Sequence, residues 1–363
     1  MKQKVVLLGM SGGVDSSVAA LLLKRQGYKV IGVFMKNFSD TKDPLTGECH
    51  WQEDKKMAQK IALKLKIPFI VLNFEKLYKE KIIKPMFQSY KLGFTPNPDI
   101  SCNSLIKFPL LWKEAKKLKC NYIATGHYAR IRKTSSGFQL LAGKDKSKDQ
   151  SYFLAELSQS DLQHTLFPLG NLIKSQVRKI AKTNNFPNWN KHGTAGICFI
   201  GNINFHQFLE NRIKAKPGKV ITPEGSVIGA HQGLAYYTTG QKAGSHIGIN
   251  IEKPPYLAQK RFYVAEKRKN NVLVVAPESH SILKKREVII KSLYLINTKE
   301  KIPPSNLSAR IRHLGSFHKG KLTKKSNKYH FVFQKPVEAI APGQFIVLYH
   351  KDKVIGSGEI RLK

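Results

Sequence analysis

The chain has 363 residues, 41% of them hydrophobic, and carries 62 Lys+Arg against 24 Asp+Glu for a formal charge of +38. That length holds two or three domains with cores of their own. No apolar run approaches a membrane span and a first core strand begins at residue 5, which excludes a transit or signal peptide, so a cytoplasmic, non-membrane protein is expected. The basic surplus points to a polyanionic partner such as nucleic acid, with a Lys-, Asn- and Ile-rich codon usage adding to it.

In chain order, the apolar run 5–8 reads as a strand. It feeds Gly9-Met-Ser-Gly-Gly-Val-Asp-Ser-Ser17, and a helix over 15–25 follows, with apolar residues at Val18, Leu21 and Leu22. A strand-to-helix junction presents free backbone N–H groups and the positive end of a helix dipole to an anion. Gly12 and Gly13 allow close backbone approach to a phosphate. Ser11, Ser16 and Ser17 add hydroxyls, and Asp15 is a candidate Mg²⁺ ligand. The chain has no G-x-x-x-x-G-K-[ST] run, so this is not a Walker A loop.

Further strands are expected at 30–34, 69–72 and 122–124, and helices at 53–66, 76–92 and 103–119. The alternation predicts a doubly wound parallel sheet with helices on both faces and ligands at the carboxyl ends of its strands. Residues 40–49 and 94–101 read as loops over that edge. A hairpin over 129–141 turns at Ser135-Ser136-Gly137.

Beyond 205 the texture changes. A short helix (205–213) precedes strands at 219–222 and 226–228, then a pair, 262–264 and 272–275, joined across Asn270-Asn271. The last part holds five strand-like runs, 288–295, 308–312, 329–333, 344–348 and 354–360, which fit a small β-barrel. The expected domains are 1–204, 205–280 and 281–363. The cysteines, at 49, 102, 120 and 198, match no zinc module.

The loop at 9–17 resembles the SGGxDSS pyrophosphate loop of ATP pyrophosphatases. Four further segments narrow the resemblance. They are Thr95-Pro-Asn-Pro-Asp-Ile-Ser-Cys102-Asn-Ser-Leu-Ile-Lys-Phe108, Ala124-Thr-Gly-His-Tyr-Ala-Arg130 with Ser147-Lys-Asp-Gln-Ser-Tyr-Phe-Leu154, and Gly196-Ile-Cys198-Phe-Ile-Gly201. Together they are similar to the signatures of bacterial tRNA-specific 2-thiouridylases, almost from end to end. Leu105, Gly193-Thr-Ala-Gly196 and Gln241-Lys-Ala-Gly244 depart from the usual pattern.

The resemblance implies a pyrophosphatase-type α/β domain, a small central domain and a C-terminal barrel. It implies ATP-dependent sulfuration of the wobble uridine in the tRNAs for Lys, Glu and Gln, with ATP and Mg²⁺ as cofactors. The implied partners are tRNA and a persulfide donor, namely a cysteine desulfurase with a sulfur-relay protein. Nucleotide contacts are implied for Gly9, Met10, Ser11, Gly12, Gly13, Val14, Asp15, Ser16, Met35 and Gly126, with Asp15 on the metal. Met35 reads equally well as a core residue at a strand end.

Oxide does not leave a carbonyl carbon, so the C2 oxygen must first become part of a good leaving group such as AMP. The resemblance places a persulfide on Cys198 and makes Cys102 its partner thiol, ending in a Cys102–Cys198 disulfide. With a helix starting at 103, Cys102 would sit at a helix N-terminus, where the dipole favours thiolate. Asp99 is either a proton shuttle or the cap of that helix. Asn97, Pro98 and Asp99 would shape a pocket for an extruded base. His127, Lys148, Asp149, Gln150, Arg312, His313 and Gln344 are the expected tRNA contacts. Cys49 and Cys120 read as inert.

Overall fold

The computed structural model describes residues 3–39, 50–191, 205–214, 216–252, 255–299, 302 and 306–362. Three sheets organise the chain. The first is parallel throughout, in the order Phe69–Asn73, Lys29–Lys36, Val5–Gly9, Tyr122–Ala124, Thr165–Leu166. Its inner strands are near-continuous apolar runs because helices cover both faces. Leu7 and Val33 belong to one buried cluster and Val6 and Leu8 to another, on the opposite face of the sheet. Strand order reverses beside Val5–Gly9, so the loop at 9–17 emerges at the crevice where open α/β sheets bind ligands.

Val14–Arg25 and His50–Lys64 are the first two helices. Two longer helical runs each contain a π-helical turn, at Lys79–Ile83 and at Asn103–Lys107. The second run therefore starts at Pro98 rather than at residue 103. A further helix, Lys174–Thr183, packs against Val14–Arg25.

The second sheet runs Ile249–Ile251, Val227–His231, Gly218–Ile221, Val272–Pro277, Phe262–Arg268. The third is an antiparallel barrel of six strands, one more than expected, closed by pairing of Lys284–Leu295 with Lys353–Arg361. The added strand is His318–Lys325, whose sequence is too lysine-rich to read as one. It forms because it lies between Leu307–Arg310 and Lys328–Glu338. The hairpin Ala129–Thr134/Gly137–Ala142 joins the barrel sheet, through Leu141 opposite Lys353. Among the described residues no helix is long and apolar enough to cross a membrane.

Candidate active site

The loop at 9–17 is held by its own hydroxyls. Ser16 Oγ donates to the Gly13 carbonyl at 3.1 Å and accepts from the Ser11 amide at 3.2 Å, and Ser17 Oγ donates to the same carbonyl at 2.9 Å. Gly12 has φ +75, and a side chain there would run into the Asp54 carbonyl. Gly13 occupies the N-cap of Val14–Arg25 without a side-chain hydrogen bond, which leaves the N-terminus of that helix turned to a ligand. Met10, Val14 and Met35 are buried at 2%, 3% and 5% exposure. Their side chains are core, Met35 in one cluster and Met10 and Val14 in the other. Gly126 lies against the backbone of Asp15 and Ser16.

Residues remote in sequence complete this site. Lys174 Nζ sits 2.5 Å from Asp15 Oδ1, and the Tyr128 hydroxyl donates to the same oxygen at 2.8 Å. Burial and the Asp15 charge raise the Tyr128 pKa, so the phenol stays a donor. Arg178 stands one turn beyond Lys174, with its Nε buried and lacking a partner among the described residues. Asn188 Nδ2 donates to the Gly12 carbonyl and Ser17 Oγ, at 2.9 and 3.0 Å. At the carboxyl end of Lys29–Lys36, Asn37 is 2% exposed and neither side-chain polar atom has a partner among the described residues. The lysine absent from the loop thus arrives 159 positions later. Nothing in local spacing announces it.

Residues 93–102 are held by contacts from residues 238–267 and from residues 342–361. Lys267 Nζ donates to the Gly93 carbonyl at 2.9 Å, and the Thr95 and Thr238 hydroxyls pair at 3.1 Å. The Thr95 amide donates to the Pro342 carbonyl at 2.8 Å, and the Arg361 guanidinium lies 3.9 Å from the centre of the Phe94 ring. Gly343, at φ +94, lets the barrel backbone approach Thr95, where a Cβ would stand 2.8 Å from the amide nitrogen. Asn97 Oδ1 accepts from the Ile100 amide at 3.3 Å, so Asn97, not Asp99, caps Pro98–Cys102. Its Nδ2 donates to Gln344 Oε1 at 3.2 Å. Two expected RNA contacts 247 positions apart are therefore in direct contact.

Cys102 is the last residue of Pro98–Cys102 and is fully buried in an apolar cluster. It is more than a turn past the cap, which corrects the expectation of an N-terminal dipole acting on its sulfur. Asp99 stands in the first turn, where the dipole favours its carboxylate. Cys120 is buried, and burial raises its thiol pKa, as suits an inert residue. Cys49 and Cys198 lie outside the described residues.

The other expected RNA contacts divide. Lys148 and Arg312 are exposed, and His313 stacks on Phe153 at 4.1 Å between ring centres. Phe153 O accepts from Asn103 Nδ2, which seats that stack beside Cys102. Burial drives the His127 pKa well below its usual value, and the Lys107 charge adds to this, so the ring is a neutral group stacked on Phe108 at 5.9 Å. Gln150 Oε1 accepts from the Tyr128 amide at 3.0 Å.

Asp149 is buried and paired. It is 1% exposed, takes the amides of Gly143 and Ser151 on one oxygen, and meets Arg310 Nη1 at 2.6 Å with the other. It pins the barrel to the first domain.

Three family models match in series. The tRNA methyl transferase HUP domain covers residues 3–202, the tRNA methyl transferase PRC-barrel domain 206–277 and the aminomethyltransferase beta-barrel domain 285–360. The tRNA-specific 2-thiouridylase MnmA 1 of Geobacillus kaustophilus is 44% identical over 363 residues, covering 99% of this chain and 96% of that protein. The tRNA-specific 2-thiouridylases MnmA of Listeria monocytogenes and Bacillus cereus are each 42% identical over 357 residues, covering 98% of this chain and 94% of theirs. With likeness of that degree over nearly the whole length, the chain belongs to the tRNA-specific 2-thiouridylase family.

Proposed function

We propose that this protein uses ATP to replace the C2 oxygen of the wobble uridine of tRNA with sulfur, in the tRNAs for Lys, Glu and Gln. The observation that carries this reading is the junction at 93–102. A segment bearing Asn97, Asp99 and Cys102 is gripped by the barrel side of the molecule through Gln344, while the first sheet presents the helix N-terminus of the loop at 9–17. The division of labour follows the expected domains: chemistry in 1–204, support in 205–280, RNA contact in 281–363.

In this reading the uridine O2 attacks the α-phosphorus of ATP and the α–β phosphoanhydride bond breaks. Pyrophosphate is held at the helix N-terminus by Ser11, Ser16 and the Lys174 ammonium. Asp15 would hold Mg²⁺ together with the phosphates, since one carboxylate plus phosphate oxygens suits that ion, and it would offset their charge. The Cys198 persulfide then attacks C2, and AMP leaves with the former C2 oxygen. The Cys102 thiolate attacks Cys198 Sγ, which frees the thione and forms a Cys102–Cys198 disulfide. An external thiol reduces that disulfide for the next cycle. Asp99 accepts or returns the proton near C2. Persulfide comes from a cysteine desulfurase through a sulfur-relay protein.

The test is mass spectrometry of wobble nucleosides from cells lacking the protein, with reconstitution from ATP, tRNA and a persulfide donor. Loss of 2-thiouridine, restored by the wild-type gene, is expected. A lost methyl group instead would favour the activity named in the first two family models. Unchanged nucleosides would overturn both.

A further inference from the structure

Between Leu307–Arg310 and His318–Lys325, residues 312–315 form a tight turn closed by the Gly315 amide donating to the Arg312 carbonyl at 3.1 Å. Leu314 is its third residue and has φ +53. That left-handed position belongs by sterics to Gly or Asn, and a large L-residue there is an outlier. The same side chain is 44% exposed. Stability explains neither fact, because glycine would relax the backbone and a polar residue would suit the solvent. Outliers of this kind gather where a ligand is met.

The surroundings identify the ligand. Phe317, 45% exposed, stands three residues on, with its ring centre 4.1 Å from the Arg310 guanidinium. Arg312 and Lys148 are exposed, and the Arg310 and Lys148 charges reach His313. His313 Nδ1 is buried with no partner among the described residues. The His313 ring rests on Phe153, which fixes the turn beside the helix that carries Cys102. Two apolar side chains among cations fit a nucleobase face flanked by phosphates. A protein partner or a membrane would need a wider apolar face.

We propose that Leu314 is a wedge that enters the anticodon base stack beside the extruded uridine and packs on the neighbouring base. Phe317 forms the ledge next to it, and Arg312 and Lys148 take the flanking phosphates. The inference rests on the tRNA reading above. Extruding a base leaves a gap that costs unstacking energy, and inserted apolar side chains fill such gaps in other nucleic-acid complexes. The left-handed φ is that of a turn residue, and the side chain stands exposed at that turn.

The test uses the full chain and an anticodon stem-loop RNA with 2-aminopurine on the 3′ side of the wobble uridine. Leu314→Gly keeps the turn, suits its φ and removes the wedge, so its Tm should equal or exceed that of the parent. Wild type should change the 2-aminopurine fluorescence on binding. Leu314→Gly should lose that change and about tenfold or more in kcat/KM for RNA. Leu314→Met should restore most of both. Leu314→Gly keeping the fluorescence change, whether or not turnover falls, overturns the wedge and leaves the proposed reaction standing. Turnover within about twofold of wild type does the same. A wild-type protein that forms no 2-thiouridine overturns the reaction and the wedge with it.

Discussion

The loop at 9–17 takes its shape from its own glycines and serines, with Asn188 and Lys174 of the same sheet system bracing it. The segment at 93–102 takes its shape from elsewhere: Lys267 and Thr238 of the central sheet, and Pro342, Gln344 and Arg361 of the barrel. One region, the proposed nucleotide loop, is built largely from its own residues. The other, which in the proposed reading meets the wobble base, is assembled by contacts from outside the first domain. Generic chemistry is thus stored in a short stretch of chain, while selectivity depends on how the domains sit together.

If the two regions are separable in this way, lesions in them should fail differently. The largest effect should come from Asp15→Ala. Thiolation should be abolished, a loss of about a thousandfold or more as expected when charge stabilisation at a transferred phosphoryl group is removed. Filter binding should show tRNA affinity within about threefold of wild type. Turnover near wild type would mean that the loop is not the nucleotide site.

The thiols should come next, in two stages. Cys198→Ser should take up no labelled sulfur from a desulfurase relay. Cys102→Ser should load sulfur on Cys198 yet fail to release the thiolated base unless an external thiol is added. Single-turnover wild type should yield a Cys102–Cys198 cross-linked peptide. Sulfur loading on Cys102 in the Cys198→Ser variant would reverse the roles. Cys120→Ser should be near normal, in keeping with its buried setting.

A smaller, sharper test addresses the docked segment itself. Asn97→Ala and Gln344→Ala should each lower kcat/KM for tRNA by about 10- to 100-fold through misplacement of the base. The double variant should be no worse than the poorer single one, since the residues share one hydrogen bond. ATP-binding affinity should not move. Additive losses would mean that the two side chains act apart.

The smallest effect concerns Lys267, whose ammonium is pushed down to about 8 by burial. From about 8 up to its unfolded value near 10.4, the unfolded chain holds more protons than the folded one. Stability should therefore rise with pH across that window, and the cost of the buried charge is fully present below it. Lys267→Met should flatten that rise and lift Tm near pH 7 by about 2–4 °C. A steeper pH dependence in the variant would show that another group governs the window.

These contrasts also explain what the sequence made legible. The runs at 5–8 and 122–124 were readable because buried parallel strands are apolar throughout, and they appear as Val5–Gly9 and Tyr122–Ala124. The phosphate loop was readable because its shape is local. His318–Lys325 was not, since only Leu322 marks it and its neighbours make it a strand. The start of the helix at Pro98 was masked by the Asn-Pro-Asp turn chemistry, which misplaced Cys102 relative to the helix end. Asp149 looked like an RNA contact because its neighbours Lys148 and Gln150 share its motif. Its partner Arg310 is 161 positions away, beyond any local pattern.

The hairpin Ala129–Thr134/Gly137–Ala142 has a consequence for the order of events during synthesis. Its outer edge pairs with a strand that begins at Lys353, 353 − 141 = 212 residues after Leu141. At roughly 5–20 residues per second, about 10–40 s pass before that strand leaves the ribosome. Until residue 310 is made Asp149 lacks Arg310, and until residue 353 is made the hairpin edge stays open to any strand that reaches it. The first domain is therefore made early and finished last, and nascent chains stalled before residue 353 should be cut within the hairpin by protease while full-length chains resist.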